Sequence, residues 1–307
     1  MSAALALQPT ACAFCDTPNN AAEVYAANLD LRAFNPAVFS ARRLPDRLHY
    51  RMVRCNACGL LRSDPVADAE LIKQLYSQSD QNYGLELDNL RLTYGRYLGY
   101  LRRFAIRRSS LLEIGCGSGF FLEEAIVGGY QDVWGLEPSE AAVARSIPIL
   151  RKKIIRDVLR PGLFPDGSFD VICMFQVFDH LADPNSCLEV CSRILKPGGH
   201  VLALNHDVAS LSARLLRESS PIIDIEHTYL YDRKSMASMF KKWGFQVLKT
   251  GRAFNHYSLQ YLLQLTPLPS GLKMALLELV KNTGIGRLPL TVALGNLFLI
   301  ARRPTEI

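Results

Sequence analysis

Leu111-Leu112-Glu113-Ile114-Gly115-Cys116-Gly117-Ser118-Gly119-Phe120 is the stretch on which the fold turns. Four mostly apolar residues read as a short strand, three glycines at alternate positions read as a tight turn, and Phe120–Val127 reads as a helix. Glycines in such a turn let the backbone bend sharply and come close to a ligand. The nearest familiar pattern is the dinucleotide fingerprint Gly-x-Gly-x-x-Gly. Here Gly119 comes one residue early, and Phe120 stands where that pattern needs its last glycine. A glutamate just ahead of the turn, Glu113, is also foreign to it.

Outward from this turn the chain repeats strand, turn and helix. Strands are predicted at Leu111–Ile114, Val133–Leu136, Asp170–Phe175, His200–Asn205, Phe245–Thr250 and Asn296–Ala301. Helices are predicted between them at Glu140–Ser146, Asn185–Ile194 and Lys234–Trp243. Such alternation implies an α/β fold: a Rossmann-like, doubly wound, mostly parallel sheet with helices on both faces. Ligands of these sheets bind outside the C-terminal ends of the strands. Upstream, Ala69–Tyr76 and Leu90–Ile106 carry apolar residues three or four apart and read as helices. We divide the chain into a module over 1–64, a helical connector or lid over 65–109, and a sheet domain over 110–307 with cap inserts at about 206–235 and 256–290.

The stretch Glu-x-Gly-x-Gly-x-Gly at 113–119 resembles the first motif of the class I S-adenosylmethionine-dependent methyltransferases. Further landmarks agree with it. Glu137, in Val-Trp-Gly-Leu-Glu-Pro-Ser, lies 22 residues beyond Gly115 at the end of the second strand. Phe-Pro-Asp-Gly-Ser-Phe-Asp-Val-Ile (164–172) and Leu-Lys-Pro-Gly-Gly (195–199) resemble the family's entry to its fourth strand and the turn before its fifth. The resemblance covers 111–199 and says little about 1–64 or 256–290. It implies that S-adenosylmethionine is the cofactor, with Gly115, Cys116, Gly117 and Gly119 cradling its amino-acid portion. Glu113 would face the methionine amino group, and Glu137 would accept from both ribose hydroxyls, with Pro138 beside it. Asp157 falls where the family places an acid near the adenine amino group. Gln176 follows the fourth strand, and Tyr83 is expected to reach the cofactor from its polar loop. The reaction implied is in-line methyl transfer, which depends mainly on positioning.

Cys12-Ala-Phe-Cys15 and Cys55-Asn-Ala-Cys58 are two Cys-x-x-Cys pairs separated by 39 residues. Two such knuckles supply the closed four-thiolate shell of structural Zn²⁺, with no open position for catalysis. The long spacing is not that of a compact DNA-reading finger. Cys116, Cys173, Cys187 and Cys191 lie in apolar contexts and are expected to be small core residues.

Histidine is the usual general base near neutral pH. Three lie at strand ends or in the cap: His180, His206 and His227. By the same resemblance, His180 falls where the family commonly has a histidine beside the cofactor. Tyr94, Tyr97 and Tyr100 line either the site entrance or a helix–sheet contact.

Composition bounds the rest. The 307 residues carry 35 basic and 29 acidic side chains, for a formal charge of +6, and four thiolates on one Zn²⁺ would reduce this to about +4. Arginines fall in two loose runs (Arg42, Arg43, Arg47, Arg51, Arg54; Arg102, Arg103, Arg107, Arg108) rather than one dense stripe. The first residues have no basic region before an apolar core, no stretch is long enough to span a membrane, and the cysteine usage fits reduced thiols. The expected location is cytoplasmic, without stable membrane insertion. The expected acceptor is a small molecule: a sugar, nucleotide-sugar or secondary metabolite. The alternatives are an RNA methyltransferase that docks through its zinc ribbon and a non-catalytic cofactor-binding protein. Gln-Val-Phe-Asp-His (176–180) lacks the signature for adenine amino-group methylation, which leaves carbon or ribose methylation of RNA. The Leu-rich tail (Leu259, Leu262, Leu263, Leu265) suits core burial, a homodimer contact or peripheral membrane contact.

Overall fold

The computed structural model describes residues 7–29, 34–39, 46–79, 83–104, 106–266 and 268–305. Arg42, Arg43, the polar run 80–82 and Pro267 lie outside the described residues. The N-terminal part forms β1 (Leu7–Gln8), β2 (Ala21–Tyr25), β3 (Met52–Cys55), β4 (Leu61–Ser63) and β5 (Val66–Ala67). β2, β3 and β4 form an antiparallel meander, and β1 pairs with β5. Two helices follow, α1 (Ala69–Gln78) and α2 (Leu87–Tyr100). The Asp68 side chain caps α1 by accepting from the Glu70 amide at 2.8 Å. Leu90, Tyr94, Tyr97 and Leu98 of α2 recur at helical spacing, and all four are buried.

The sheet domain then runs β6 (Ser110–Ile114), α3 (Phe120–Val127), β7 (Asp132–Leu136), α4 (Glu140–Ala144), α5 (Pro148–Arg151), β8 (Ile154–Ile155), β9 (Phe169–Phe175), α6 (Pro184–Ile194) and β10 (Leu195–His206). It continues with α7 (Leu211–Leu216), β11 (Tyr229–Leu230), α8 (Arg233–Lys242), β12 (Gln246–Ser258), α9 (Leu259–Leu265), α10 (Ser270–Asn282) and β13 (Pro289–Arg302). Seven strands form one sheet in the order β12-β13-β10-β9-β6-β7-β8. The pairs from β10 to β8 are parallel, and β13 runs antiparallel to both β10 and β12. This is the expected doubly wound, mostly parallel sheet. From β6 the chain steps outward through β7 to β8, then returns to place β9 on the other side of β6. That switch point opens a crevice beyond the strand ends.

Every residue of β9 is buried, as a central parallel strand covered on both faces requires. Leu188, Val190, Met236 and Phe240 of α6 and α8 pack on one face; Tyr94, Leu98, Phe121 and Ala125 of α2 and α3 pack on the other. Local chemistry starts the helices where they begin. Asp183 accepts from the Ser186 amide ahead of Pro184, and Asp232 and Ser235 cap α8 reciprocally. Cys116, Cys173, Cys187 and Cys191 are buried free thiols, as expected.

Two features depart from the expected strands or go beyond them. β12 runs eight residues past Thr250, and β13 starts seven before Asn296, so the pair forms a long hairpin from Gln246 opposite Arg302 to Ser258 opposite Pro289. Arg252–Ser258 mixes polar and apolar residues, so cross-strand hydrogen bonding defines this extension rather than an apolar run. In addition, β11 of the 206–235 insert pairs with β4, which makes a four-stranded sheet β11-β4-β3-β2 that includes the N-terminal strands. Among the described residues no helix is long and apolar enough to cross a membrane.

Candidate active site

The glycine turn follows β6 at the switch point. Gly115, Gly117 and Gly119 have φ of +72°, +55° and +77°, a region L side chains rarely adopt. A Cβ on Gly115 would also lie 2.5 Å from Cγ2 of Val177. Two carboxyl groups flank the turn. Glu137 ends β7; its Oε2 accepts from the Gly117 amide at 2.9 Å and its Oε1 from the Ser139 amide at 2.8 Å. Glu113, inside β6, is 2 % exposed, and its Oε2 has no hydrogen-bond partner among the described residues. Burial, and then the charge of Glu137, pushes the Glu113 pKa well above the usual carboxylate range.

These groups border a cavity of about 810 Å³. Glu113, Gly115, Cys116, Glu137 and Pro138 line it on the turn side, together with Tyr83, Asp157 and Gln176. Gly117 and Gly119 shape the turn without lining the cavity. Gln176 has a positive φ of 57°, and its Oε1 is buried without a partner among the described residues. The Asp157 carboxylate is already engaged, 3.0 Å from Lys73 Nζ and 2.9 Å from Arg160 Nε. Burial alone would raise its pKa, but these cations bring it to about 2. Tyr94 stacks on Phe175 at 4.1 Å between ring centroids and reaches the cavity with Tyr83. Tyr97 and Tyr100 pack instead against Phe298.

The opposite wall gathers three histidines around one carboxylate. His206 ends β10 and places Nδ1 2.6 Å from Oδ2 of Asp179, which is fully buried. His180 Nε2 lies 3.6 Å from Asp179 Oδ1, and His227 Nε2 lies 3.9 Å from Oδ2. Burial would raise the Asp179 pKa, but His206, followed by His227 and His180, holds it well below the usual range. His227 is buried, its Nδ1 lies 2.8 Å from the Ile222 carbonyl, and burial lowers its pKa. His180 is engaged by the Tyr76 hydroxyl at 2.9 Å. The side chain of His206 is 24 % exposed, and it lines the cavity. The sequence offers Asp179, beside His180 just past the fourth strand, as an acceptor-side candidate without a role, and it gives no sign of Tyr76. The Asp-His pair directly after β9 was a signal for Asp179, whereas Tyr76 sits in an ordinary helical pattern.

The N-terminal sheet closes over this wall. The Thr228 and Tyr229 amides donate to the Asp179 carbonyl at 2.9 and 3.2 Å, and the Ser63 hydroxyl donates to the His227 carbonyl at 2.7 Å. On its far side the four sulfurs of Cys12, Cys15, Cys55 and Cys58 lie within 4.8 Å of one another, with Cys12 and Cys58 3.4 Å apart. All four are free thiols. Burial opposes ionisation of Cys55, but the Cys58 and Ala57 amides and the neighbouring sulfurs outweigh it and lower its pKa to about 7. Lys242 of α8 donates to the Ala13 carbonyl at 3.0 Å and to the Asp16 carboxylate at 2.9 Å, which fixes the first knuckle to the sheet domain.

Comparison with known proteins bears on residues 89–250, which match the family model described as a methyltransferase domain. An uncharacterised methyltransferase of Schizosaccharomyces pombe is 31 % identical over 129 residues, covering 36 % of this chain and 45 % of that protein. A ubiquinone biosynthesis O-methyltransferase of Pseudomonas aeruginosa is 32 % identical over 107 residues, covering 32 % of this chain and 45 % of the relative. The matches thus span less than half the length of these curated relatives. A solved Haloferax volcanii complex between the Trm112 methyltransferase activator and a methyltransferase superposes with a TM-score of 0.49 at 19 % identity, covering 72 % of this chain and 92 % of that one.

Proposed function

The chain belongs to the methyltransferase-domain family of S-adenosylmethionine-dependent enzymes, and from that premise we propose that it methylates a hydroxyl oxygen of a small-molecule acceptor, with His206 as general base. The observation that carries this reading is the 2.6 Å contact between His206 Nδ1 and the buried Asp179 carboxylate at the cavity wall. Asp179 orients the imidazole through Nδ1, which leaves Nε2 to take the acceptor proton. His227 suits this role less, because it is buried, burial lowers its pKa and its Nδ1 is held by a backbone carbonyl.

S-adenosylmethionine, when bound, supplies a sulfonium methyl open to in-line displacement. The turn wall suits it: the buried Glu113 carboxyl calls for a cationic or donor group, and Glu137 stands at the ribose position. His206 removes the proton as the acceptor oxygen bonds to carbon, and Tyr83 and Tyr94 help to exclude water from the cavity. The cavity lining holds seven acidic side chains (Glu70, Glu113, Glu137, Asp157, Asp183, Asp224, Glu226) against one lysine, Lys73, among the described residues. A phosphate backbone would be repelled there, which favours a small, uncharged acceptor end over RNA. The curated relatives named O-methyltransferase agree with oxygen as the methylated atom. We further propose that the four cysteines hold one structural Zn²⁺, the ion such a thiolate set takes.

The test uses purified protein, methyl-labelled S-adenosylmethionine and a cell extract separated into RNA, protein and small-metabolite fractions. Label in the small-metabolite fraction, as a methyl ether by mass, supports the proposal. Label confined to RNA or protein overturns it.

A further inference from the structure

Large exposed apolar side chains are usually scattered singly, whereas nine of the seventeen among the described residues fall on α7, α10 and the segment 285–294. Leu211 and Leu215 of α7 are 72 % and 73 % exposed, and Leu272 and Leu279 of α10 are 52 % and 56 % exposed. Leu272, Ala275, Leu276 and Leu279 follow the i, i+3, i+4, i+7 rule, so one stripe of α10 is apolar and faces outward. Only Val280 of α10 is buried, so the helix spends its hydrophobicity on the solvent side. Core packing therefore does not explain this face.

Both parts of the surface adjoin the cavity mouth. Leu216 of α7, Tyr261, Leu262 and Leu265 of α9, and Leu294 of β13 line the cavity. The Ser212 hydroxyl donates to the Leu294 carbonyl and joins α7 to β13, while Lys273 Nζ donates to the Gln264 carbonyl at 2.7 Å and joins α10 to α9. Basic side chains are interleaved with the leucines. Segments 211–219 and 259–294 hold Arg214, Arg217, Lys273, Lys281 and Arg287 against Glu218 and Glu278, five minus two, or +3. Arg214, Arg217, Lys281 and Arg287 are exposed.

We propose that this face docks the protein on an anionic lipid bilayer, with the cavity mouth turned toward the headgroups. An anionic interface accepts both components at once: leucines enter the headgroup–acyl boundary while arginine and lysine remain among the lipid charges. A second copy of the chain fits less well, because a two-fold interface would bring the same basic residues face to face. The cavity would then receive its acceptor from the membrane surface, consistent with the apolar wall formed by α9 near its opening.

The experiment is co-sedimentation of the full chain with unilamellar vesicles of phosphatidylcholine alone and of phosphatidylcholine mixed with phosphatidylglycerol. The wild type is expected to partition onto the anionic vesicles at least tenfold better than onto the neutral ones. Leu272→Glu/Leu279→Glu and Lys281→Glu/Arg287→Glu should each reduce that partition at least tenfold. Calorimetric S-adenosylmethionine affinity serves as the fold control, since all four side chains are exposed. Equal partition onto both vesicles overturns the proposal. So does a concentration-dependent dimer in sedimentation velocity that Leu272→Glu/Leu279→Glu abolishes, which would make the face a contact between copies. Vesicle binding requires no turnover, so its failure leaves the proposed reaction standing, and failure of the reaction leaves vesicle binding standing.

Discussion

His206 Nδ1 lies 2.6 Å from the Asp179 carboxylate because β9 and β10 pair in parallel, with Leu204 beside Phe175, so that both strands end at the same edge of the sheet. In the proposed reaction the pair would act as the base–carboxylate half of a hydrolase triad does, with a buried acid orienting a histidine that lines the cavity. Replacing Asp179 with Asn keeps the volume and removes the charge. The expected outcome is a kcat lowered by about 10²-fold or more with S-adenosylmethionine affinity unchanged, measured by turnover and calorimetry on one preparation. A loss below threefold would remove this pair from the reaction.

The cofactor wall gives a second prediction. Glu137→Ala removes the acceptor for the Gly117 and Ser139 amides as well as the expected ribose contact. Its S-adenosylmethionine Kd should rise at least tenfold, about 1.4 kcal/mol. Gly115→Ala should act on the turn itself, since its Cβ would press within 2.5 Å of Val177 in a backbone of positive φ. Calorimetry that finds native affinity in both variants would sink the assignment of this wall.

The cysteine quartet predicts about one zinc per chain by elemental analysis. Because β11 of the cap pairs with β4 of the same sheet, losing the metal should disturb the acceptor wall as well as the knuckles. Cys55→Ser or treatment with a strong chelator is expected to lower Tm by several degrees and to raise the acceptor KM more than the cofactor Kd. Metal content near zero in freshly purified protein would refute a zinc site.

Stability should also depend on acid pH in a defined window. Burial, and then the nearby Arg302, lowers the His200 pKa to about 4, and burial shifts His227 in the same direction. The unfolded chain binds these protons near pH 6.5, whereas the folded chain resists them. Their contribution is therefore intact above about 6.5 and is lost as pH falls toward 4. One such proton is worth up to about 1.4 kcal/mol per pH unit, so His200 should contribute a drop of about 2 kcal/mol between pH 6.5 and 5, a change that the raised pKa of Glu113 opposes in the whole protein. Urea titrations at the two pH values check this, and His200→Leu should narrow the gap. The same difference between the two pH values in His200→Leu and in the wild type would exclude the effect.

What the sequence determined by itself is whatever depends on neighbours along the chain. The glycine spacing of 115–119 encodes a positive-φ turn after a strand, Glu137 is placed by the next strand, and Cys12–Cys15 and Cys55–Cys58 each form a knuckle by local geometry. The alternation of apolar runs likewise specified the α/β sheet. Tertiary structure decided the acceptor side. Tyr76, Asp179, His206 and His227 come from α1, the loop after β9, the end of β10 and the cap, and nothing in their spacing shows that they meet. Their contact depends on sheet order, on β11 joining β4, and on the Thr228 and Tyr229 amides reaching the Asp179 carbonyl. The length of the β12–β13 hairpin and the outward apolar face of α10 belong to the same class. Cross-strand hydrogen bonds and the side on which Val280 packs chose them, and a helical period reports that a helix has an apolar stripe but not which way that stripe faces.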